Sequence, residues 1–534
     1  MTGDGQLHHA EAAYLAARSA RDRLDVARAR GVPAHADELE HAARRTMSEA
    51  QAALDAVDSG GLTEEDRAAL TTMRDGLATA ASYALPGVEA RDEEAAVGTG
   101  AAADPIEYTR RQRLLEASFT AAAGSLGFEG QPVTRLELLA RLAQEPDPAR
   151  RRALIRALEP LWRSVDGDGG PESPYRGLIE ASRERWRRGR SPIEANARAL
   201  GVTADDVVAW ATTALEGWRR AFVEPARTRR EPPVEPWDWW WHAGEAQRRL
   251  TAEIPLDALE PVNRAFHASL GADLDELGVV FDIHPRADRP TVPVAYTTFG
   301  ERPHRRPDGT WHPGRPTVLE SLTGGGLGEL AELVHETGHA IHIAGIRTRP
   351  AFADWPDSDA LTEALGDLVA VDVHDPRWQR RWLPGGVSIA DDVALRGRFA
   401  DTALDAAWAL FEIRLHEAPE RSPNDVWADI TSEWLGIARH PEWSWWAIRG
   451  QLVEEPGYMA NYAIGAVLAA DLRAAIRRDR GEWIDGDGGW YAWVREHVYR
   501  FGLERASRDV LRDVLGRPPS ADALVAELAG PAGR

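Results

Sequence analysis

The sequence predicts a mainly α-helical protein with a small β-sheet in its second half. Helix-forming Ala, Leu, Glu and Arg recur throughout the 534 residues, and 43% of all residues are hydrophobic, enough for a large core. Apolar residues recur at helical spacing from 7 to 85 and again from 106 to about 222. Residues with strand preference concentrate in 278–298 and at Thr317-Val318-Leu319, where we expect the strands.

The stretch 87–105 interrupts this helical pattern. It is acidic, then rich in Gly and Ala, and it ends in proline, which is typical of a linker or a mobile loop. We therefore expect an N-terminal helical segment at 1–86 and a larger helical domain at 106–534. Within the first segment, turn residues at 31–33 and 59–61 predict a helical hairpin or three helices.

Composition excludes several classes of function. The formal net charge of −22 disfavours a nucleic-acid partner, because phosphate binding needs clustered positive charge. The absence of cysteine excludes disulfides, thiolate catalysis and cysteine–zinc sites. The N-terminus has no apolar signal core, and no stretch reaches about 18 apolar residues. We therefore expect no membrane partner and a cytoplasmic location.

A short motif, His335-Glu336-Thr337-Gly338-His339, lies in a predicted helix that follows the strand at 317–319. Residues four apart share one face of a helix, so His335 and His339 can direct two imidazoles at one point. Glu336 adjoins that face, where its carboxylate can reach a metal-bound water. The pattern is H-E-x-x-H, in which the glutamate is the general base of zinc peptidases. The motif alone would also fit a helix with two surface histidines.

A second helical stretch supplies acidic residues. Glu363 follows His339 by 363 − 339 = 24 residues, and Asp367 lies one helical turn further on the same face. Catalytic zinc takes three protein ligands and a water, and its histidines need an outer carboxylate to orient them. The sequence therefore predicts one Zn²⁺ per chain, bound by His335, His339 and Glu363, with Asp367 behind a histidine. The alternative is that both carboxylates lie on a solvated helix face.

Together these segments resemble a known group of gluzincin peptidases. H-E-T-G-H followed by T-E-A-L-G-D-L-V-A resembles the angiotensin-converting-enzyme type, and the wider group includes thimet oligopeptidase, oligopeptidase F and Taq-type carboxypeptidases. The stretches 457–465 (G-Y-M-A-N-Y-A-I-G) and 493–528 are similar to the Taq-type enzymes. The resemblance implies a two-lobed helical metallopeptidase with a deep central channel. A small β-sheet would lie beside the zinc helix, and its edge strand, within 292–323, would hold the substrate backbone.

The resemblance also implies residues that bind the substrate. A tyrosine hydroxyl would stabilise the oxyanion together with zinc; both Tyr458 and Tyr462 match the Taq-type pattern, while the converting-enzyme pattern favours Tyr462. Both tyrosines could instead be packing residues. Taq-type carboxypeptidases carry I-R-x-x-A-D, whose arginine is linked to binding the peptide carboxylate. Arg396 and Arg398 precede Ala400-Asp401 and each departs from that spacing by one residue.

The motifs and the resemblance imply zinc-dependent hydrolysis of peptide bonds in short peptides, of the oligopeptidase or carboxypeptidase type. One alternative is a zinc enzyme of the same fold that processes a single peptide-like biosynthetic precursor. Another is a catalytically silent binding protein, against which the intact set of His, Glu and Asp argues. No lysine is present, so the carboxylate anchor of converting enzymes, and with it their dipeptide release, is not implied. The sequence does not predict the oligomeric state.

Overall fold

The computed structural model describes residues 3–30, 33–82, 104–188, 191–285 and 295–530, and most of them are helical. The first helices are α1 (Gly3–Ala29), α2 (Pro33–Asp55), α3 (Glu64–Ser82), α4 (Asp104–Ala123), α5 (Arg135–Gln144), α6 (Pro148–Arg156), α7 (Glu159–Asp166) and α8 (Pro174–Arg187). The middle helices are α9 (Pro192–Leu200), α10 (Ala204–Trp218), α11 (Glu224–Thr228), α12 (Trp239–Ala243), α13 (Glu245–Leu250), α14 (Leu256–Ser269), α15 (Gly326–Gly345) and α16 (Asp359–Ala370). The last are α17 (Pro376–Trp382), α18 (Asp391–Glu417), α19 (Pro423–Ile430), α20 (Gln451–Glu454), α21 (Met459–Arg480), α22 (Trp490–His497), α23 (Ser507–Leu515) and α24 (Asp522–Leu528).

The N-terminal segment forms three helices, α1 to α3, as one of the two predicted arrangements requires. Their apolar faces form a core of their own, which also includes Ala351 and Phe352 from the loop after α15. Arg349 of that loop donates to Glu11 of α1 at 2.6 Å and to Asp66 of α3 at 2.9 Å. The predicted linker lies outside the described residues, apart from its last two, which begin α4. The division at 1–86 and 106–534 remains a prediction.

The predicted sheet has three strands in the order β3 (Val280–Asp282), β7 (Thr317–Leu319), β4 (Tyr296–Thr298). The central strand β7 runs parallel to β3 and antiparallel to β4. Residues 286–294 of the predicted strand segment 278–298 lie outside the described part of the chain. Two short antiparallel pairs accompany the sheet: β1 (Gly127–Phe128) with β2 (Gln131–Pro132), and β5 (His304–Arg305) with β6 (Trp311–His312).

Helix α15 carries the H-E-x-x-H motif and is buried along most of its length. It begins after a tight turn at Gly325, whose φ is +72° and where a Cβ atom would lie 2.5 Å from the carbonyl oxygen of Ile254. Glu329 in its first turn accepts hydrogen bonds from the backbone N–H groups of Thr323 and Gly325, at 2.9 and 2.8 Å. A carboxylate there also complements the positive end of the helix dipole. The turn thus fixes the start of α15, and with it the position of the motif along the helix.

Helices α16, α18 and α21 pack with α15 around one core. Helix α18 begins at Asp391, so Arg396 and Arg398 lie inside this helix. Helix α21 is the single helix in the described residues that is long and apolar enough to cross a membrane, by length and composition alone. Most of that helix is buried in the core of the protein.

Candidate active site

A cavity of about 1170 Å³ is lined by residues of α5, α12, α13, α15, α16, α18 and α21. This is the central channel that the resemblance implied. Trp240 of α12 lines its wall, as does Trp355 from the loop after α15. The cavity brings together most of the predicted site residues: His335, Glu336, His339, Glu363, Asp367, Arg398, Tyr458 and Tyr462.

The three predicted metal ligands converge on one point. The Nε2 atoms of His335 and His339 are 3.1 Å apart, and the Nε2 atom of His335 is 3.8 Å from Oε2 of Glu363. One donor atom from each of the three lies within 4.8 Å of the others. Two nitrogens bound to one tetrahedral zinc at about 2.0–2.1 Å would be roughly 3.3 Å apart. The donor set and its spacing therefore fit a zinc ion.

Asp367 lies behind the first histidine, as the sequence predicted. The Nδ1–H group of His335 donates to Oδ1 of Asp367 at 2.8 Å. In the neutral ring the proton lies on Nδ1 in this bond, and the lone pair of Nε2 is then directed towards Glu363 and His339. Burial acts to lower the pKa of His335, but the charge and hydrogen bond of Asp367 outweigh burial and raise it. Asp367 thus contacts the His335 ring on the side away from His339 and Glu363.

Glycines allow the helices to approach at the ligands. A Cβ atom at Gly366 of α16 would lie 2.8 Å from Nε2 of His339 and 2.9 Å from Cε1 of His335. A Cβ atom at Gly465 of α21 would lie 3.4 Å from Cβ of Glu363. Any larger residue at Gly366 would press on both imidazoles. The E-A-L-G-D segment therefore owes its glycine to the histidine rings that it faces.

Glu336 is buried, with 5% of its surface exposed, and its carboxylate lines the cavity next to the ligands. The hydroxyl of Thr297, on edge strand β4, donates to Oε2 of Glu336 at 2.7 Å. Burial raises the pKa of Glu336 to about 7, against the lowering effect of His335. A general base works best when its pKa lies near the operating pH. Thr297 was not identified from the sequence, since it precedes Glu336 by 39 residues.

The second and third histidines of α15 have different surroundings. Burial lowers the pKa of His339 well below its usual range, and the charges of His335 and His342 add to this, which favours the neutral ring. His342 lies outside the site and packs between Trp355 and Tyr499, with ring centroids 5.6 and 5.0 Å away. It is a core residue.

Both candidate tyrosines reach the cavity. The rings of Tyr458 and Tyr462 lie 5.7 Å apart, and the Gln451 amide donates to the Tyr462 hydroxyl at 3.3 Å. Burial raises the pKa of both hydroxyls, and the charge of Glu363 raises them further. Both are thus protonated donors near Glu363. The sequence missed Glu412, which is buried and accepts the backbone N–H of Gly457 at 2.7 Å, immediately before Tyr458.

The predicted arginines are placed differently from each other. Arg398 lines the cavity, but its guanidinium forms an ion pair with Glu527. Arg396 does not line the cavity; its guanidinium carbon lies 5.3 Å from the ring centroid of Phe222. Two arginines that sequence reasoning missed do line it: Arg135, which donates to the carbonyl of Ile448 at 2.7 Å, and Arg449, which pairs with Asp405.

Comparison with solved structures identifies the fold. An M32 carboxypeptidase from Deinococcus radiodurans R1 superposes with a TM-score of 0.60 over 98% of this chain and 97% of its own, at 14% identity. The Pyrococcus furiosus carboxypeptidase superposes with a TM-score of 0.56 over 99% and 98%, at 16% identity. This chain has the fold of these peptidases. An oligoendopeptidase F structure superposes with a TM-score of 0.57 over 96% of this chain and 94% of its own, at 18% identity.

The shared fold confirms the predicted fold class, which was inferred from the resemblance of two motifs and the C-terminal stretches. The superpositions cover nearly the whole length of each chain, including the N-terminal helices that carry no motif. No family model and no curated protein sequence matches this chain. The similarity therefore lies in the fold, with the H-E-x-x-H and E-A-L-G-D segments meeting at its cavity.

Proposed function

We propose that this protein is a zinc-dependent peptidase that hydrolyses peptide bonds in short peptides, of the oligopeptidase or carboxypeptidase type. The observation that carries the proposal is the convergence of His335, His339 and Glu363 on one point, with Glu336 buried beside them in a large cavity. The solved structures that share the fold are named as carboxypeptidases and as oligoendopeptidase F, which supports peptides as the substrate class.

Zinc held by His335, His339 and Glu363 would supply a Lewis acid that activates water and polarises the scissile carbonyl. Glu336 would take the proton of the attacking water and deliver it to the leaving amine. The bond from Thr297 fixes one oxygen of the Glu336 carboxylate, so the other remains to accept that proton. Asp367 would keep the His335 ring in its binding orientation.

The hydroxyl of Tyr462 would donate a hydrogen bond to the oxygen of the scissile carbonyl as negative charge develops on it. Tyr458 is the alternative donor, since both hydroxyls lie in the cavity and both are protonated. A donor aimed at the developing oxyanion in a site that excludes water stabilises the transition state more than the ground state.

The shape of the cavity supports short, unfolded substrates. Helices α5, α12, α13, α15 and α16 all line the cavity, so we expect a substrate chain to pass between helices to reach Glu336. We expect the cavity to admit an extended peptide and to exclude a folded domain, which is too bulky to enter. A length series of one sequence, from 5 to 40 residues, assayed beside a small folded domain, tests this. If long chains and the folded domain are cleaved as fast as the short peptides, the proposed channel is wrong.

A quenched-fluorescent peptide library tests the function itself, with the wild type and Glu336→Gln compared at equal zinc content. Gln keeps the shape of the side chain but cannot accept a proton, so we expect turnover at least ~10²-fold slower in the variant. Cleavage of many peptides by the wild type supports a general peptidase, and cleavage of a single peptide-like compound supports a dedicated biosynthetic enzyme. A wild type that holds zinc and cleaves nothing, or an active Glu336→Gln, would contradict the proposal.

A further inference from the structure

Glu320 is a buried carboxyl group in the cavity that the proposed chemistry does not use. It follows the central strand β7, where side chains alternate between the two faces of the sheet. Val318 pairs with Thr297 across the ladder, so Glu320, two residues beyond Val318, points to the same face as Thr297. Because Thr297 contacts Glu336, that face is the one that looks onto α15 and the cavity, which Glu320 also lines.

Among the described residues, no side chain forms a hydrogen bond or ion pair with the carboxyl group of Glu320. Only 7% of its surface is exposed, and its Oε2 atom makes no hydrogen bond. The charged groups that act on it, Glu329, Glu332 and Glu336 of α15, are all acidic, and with burial they raise the pKa of Glu320 to about 9. Glu329 is engaged with backbone N–H groups. Among the described residues, no arginine or histidine forms an ion pair with Glu320 or Glu332.

The remaining charges of the cavity do not compensate for this group. In the described part of the chain, three arginines line the cavity, and each is engaged elsewhere: Arg398 with Glu527, Arg449 with Asp405 and Arg135 with a backbone carbonyl. The acidic residues of the lining are more numerous than the arginines: Glu320, Glu332, Glu336, Asp359, Glu363, Asp367, Asp401 and Asp405. The lining around Glu320 therefore favours a positively charged occupant.

Space is available beside Glu320. Ala295 lies one residue beyond the last ladder pair, Tyr296 with Leu319, and it too lines the cavity. A small side chain at that position leaves room next to the carboxyl group. An unpaired carboxyl group buried against three acidic residues costs free energy, whereas a cation that hydrogen-bonds to Oε2 would satisfy it. Such a group in a ligand cavity is expected where the ligand itself supplies the missing partner.

We propose that Glu320 is the recognition carboxylate of a subsite that binds a cationic group of the peptide substrate. The group is a Lys or Arg side chain or a free α-amino terminus, since each supplies the positive charge and N–H donors that Oε2 lacks. The inference rests on the proposed peptidase function, because the cation is carried by the substrate. It places the cationic group close to Glu336, whose charge acts directly on Glu320.

Matched peptide pairs test the proposal. In each pair Lys is replaced by norleucine, or Arg by citrulline, at one position at a time, and a third set compares free with acetylated amino termini. We expect the wild type to prefer the cationic member by about tenfold or more in kcat/KM, with the effective position or terminus identifying the source of the charge. In Glu320→Gln, which keeps the side-chain volume, the ratio should fall to near 1. The matched control is Glu253→Gln, since Glu253 is exposed and lies outside the cavity.

The two proposals fail in different ways. If no peptide is cleaved, the peptidase function fails, and the binding of the same labelled pairs to the wild type, measured by anisotropy, still reports the preference for charge. If neutral peptides are cleaved and the cationic members gain nothing in the wild type, the Glu320 subsite is refuted while the peptidase function stands. The subsite is equally refuted if Glu320→Gln, folded by circular dichroism, retains the preference. Should Glu320→Gln fail to fold, Glu320→Asp, which retracts the carboxylate, should reduce the ratio instead.

Discussion

The backbone of Gly338, in the middle of the H-E-x-x-H motif, lies directly against the backbone of Gly366 in the next helix. A Cβ atom at Gly338 would lie only 2.5 Å from the carbonyl oxygen of Gly366, and one at Gly366 would meet the imidazoles of His335 and His339. The two helices therefore cross at their glycines with no side chain between them. This contact sets how near Glu363, which lies one turn before Gly366, comes to the two histidines.

The crossing predicts that Gly366→Ala will weaken zinc binding. In the interior of a helix this change alone would stabilise by roughly 1 kcal/mol. Here the added methyl group must displace two ligand rings, so we expect zinc affinity to fall by about tenfold or more, in the range of changes behind a metal ligand. The measurement is competition with a chromophoric chelator. Gly61→Ala is the control, because a Cβ atom there meets nothing within 4 Å; normal affinity in Gly366→Ala would contradict the role of the crossing.

The bond from His335 to Asp367 predicts that Asp367 orients a zinc ligand, whereas Glu363 is itself a ligand. Asp367→Ala should weaken zinc affinity or activity by about 10–100-fold, as expected for a carboxylate behind a ligand. Glu363→Ala removes a donor atom, so its zinc affinity should fall much further. Metal content after dialysis against graded chelator concentrations distinguishes the two. Equal losses in both variants would mean that the assigned roles are wrong.

The tyrosine pair predicts unequal effects of removing each hydroxyl. Tyr462→Phe should lower kcat by ~10²–10³-fold, the usual cost of one oxyanion donor, with KM little changed. Tyr458→Phe should lower kcat less. Both variants should retain full zinc content, since neither hydroxyl is among the ligands. A larger loss of kcat in Tyr458→Phe would identify Tyr458 as the oxyanion donor. Normal rates in both variants would identify both tyrosines as packing residues.

Glu320 predicts a dependence of stability on pH. Its folded-state pKa of about 9 lies above the value of roughly 4.3 expected in an unfolded chain. The stabilisation of a group with a raised pKa is present below its unfolded pKa and is lost as the pH rises towards the folded one. The free energy of unfolding of the wild type should therefore fall between about pH 5 and pH 9. That of Glu320→Gln should fall less over the same range, and the difference should be at least about 1.4 kcal/mol, the free energy of one pKa unit. Denaturant titrations at pH 5, 7 and 9 measure this, and parallel pH profiles would contradict it.

Site residues that lie close together in sequence were predictable, because helix geometry converts their spacing into a shared face. His335 and His339 are one turn apart, and so are Glu363 and Asp367, so each pair could be placed by counting. The arginines could not be placed in this way. Arg396 and Arg398 differ by two residues, and on a helix that spacing directs one into the cavity and the other towards Phe222. The hypothesis that both bind substrate depended on an alignment one residue out of register.

The sequence by itself determined the helical class, the strand at 317–319, and the identity and order of the residues that fit zinc binding. These features depend on local periodicity and on side-chain chemistry, and both can be recognised within a short stretch of sequence. Only the tertiary structure decided which distant residues come together at the site: Thr297 and Glu320 line the cavity, and Glu412 accepts the backbone N–H of Gly457 next to Tyr458. Their roles arise from the packing of strands and helices far apart in the chain, and burial, which sets the pKa values of Glu336 and Glu320, exists only once those elements have come together.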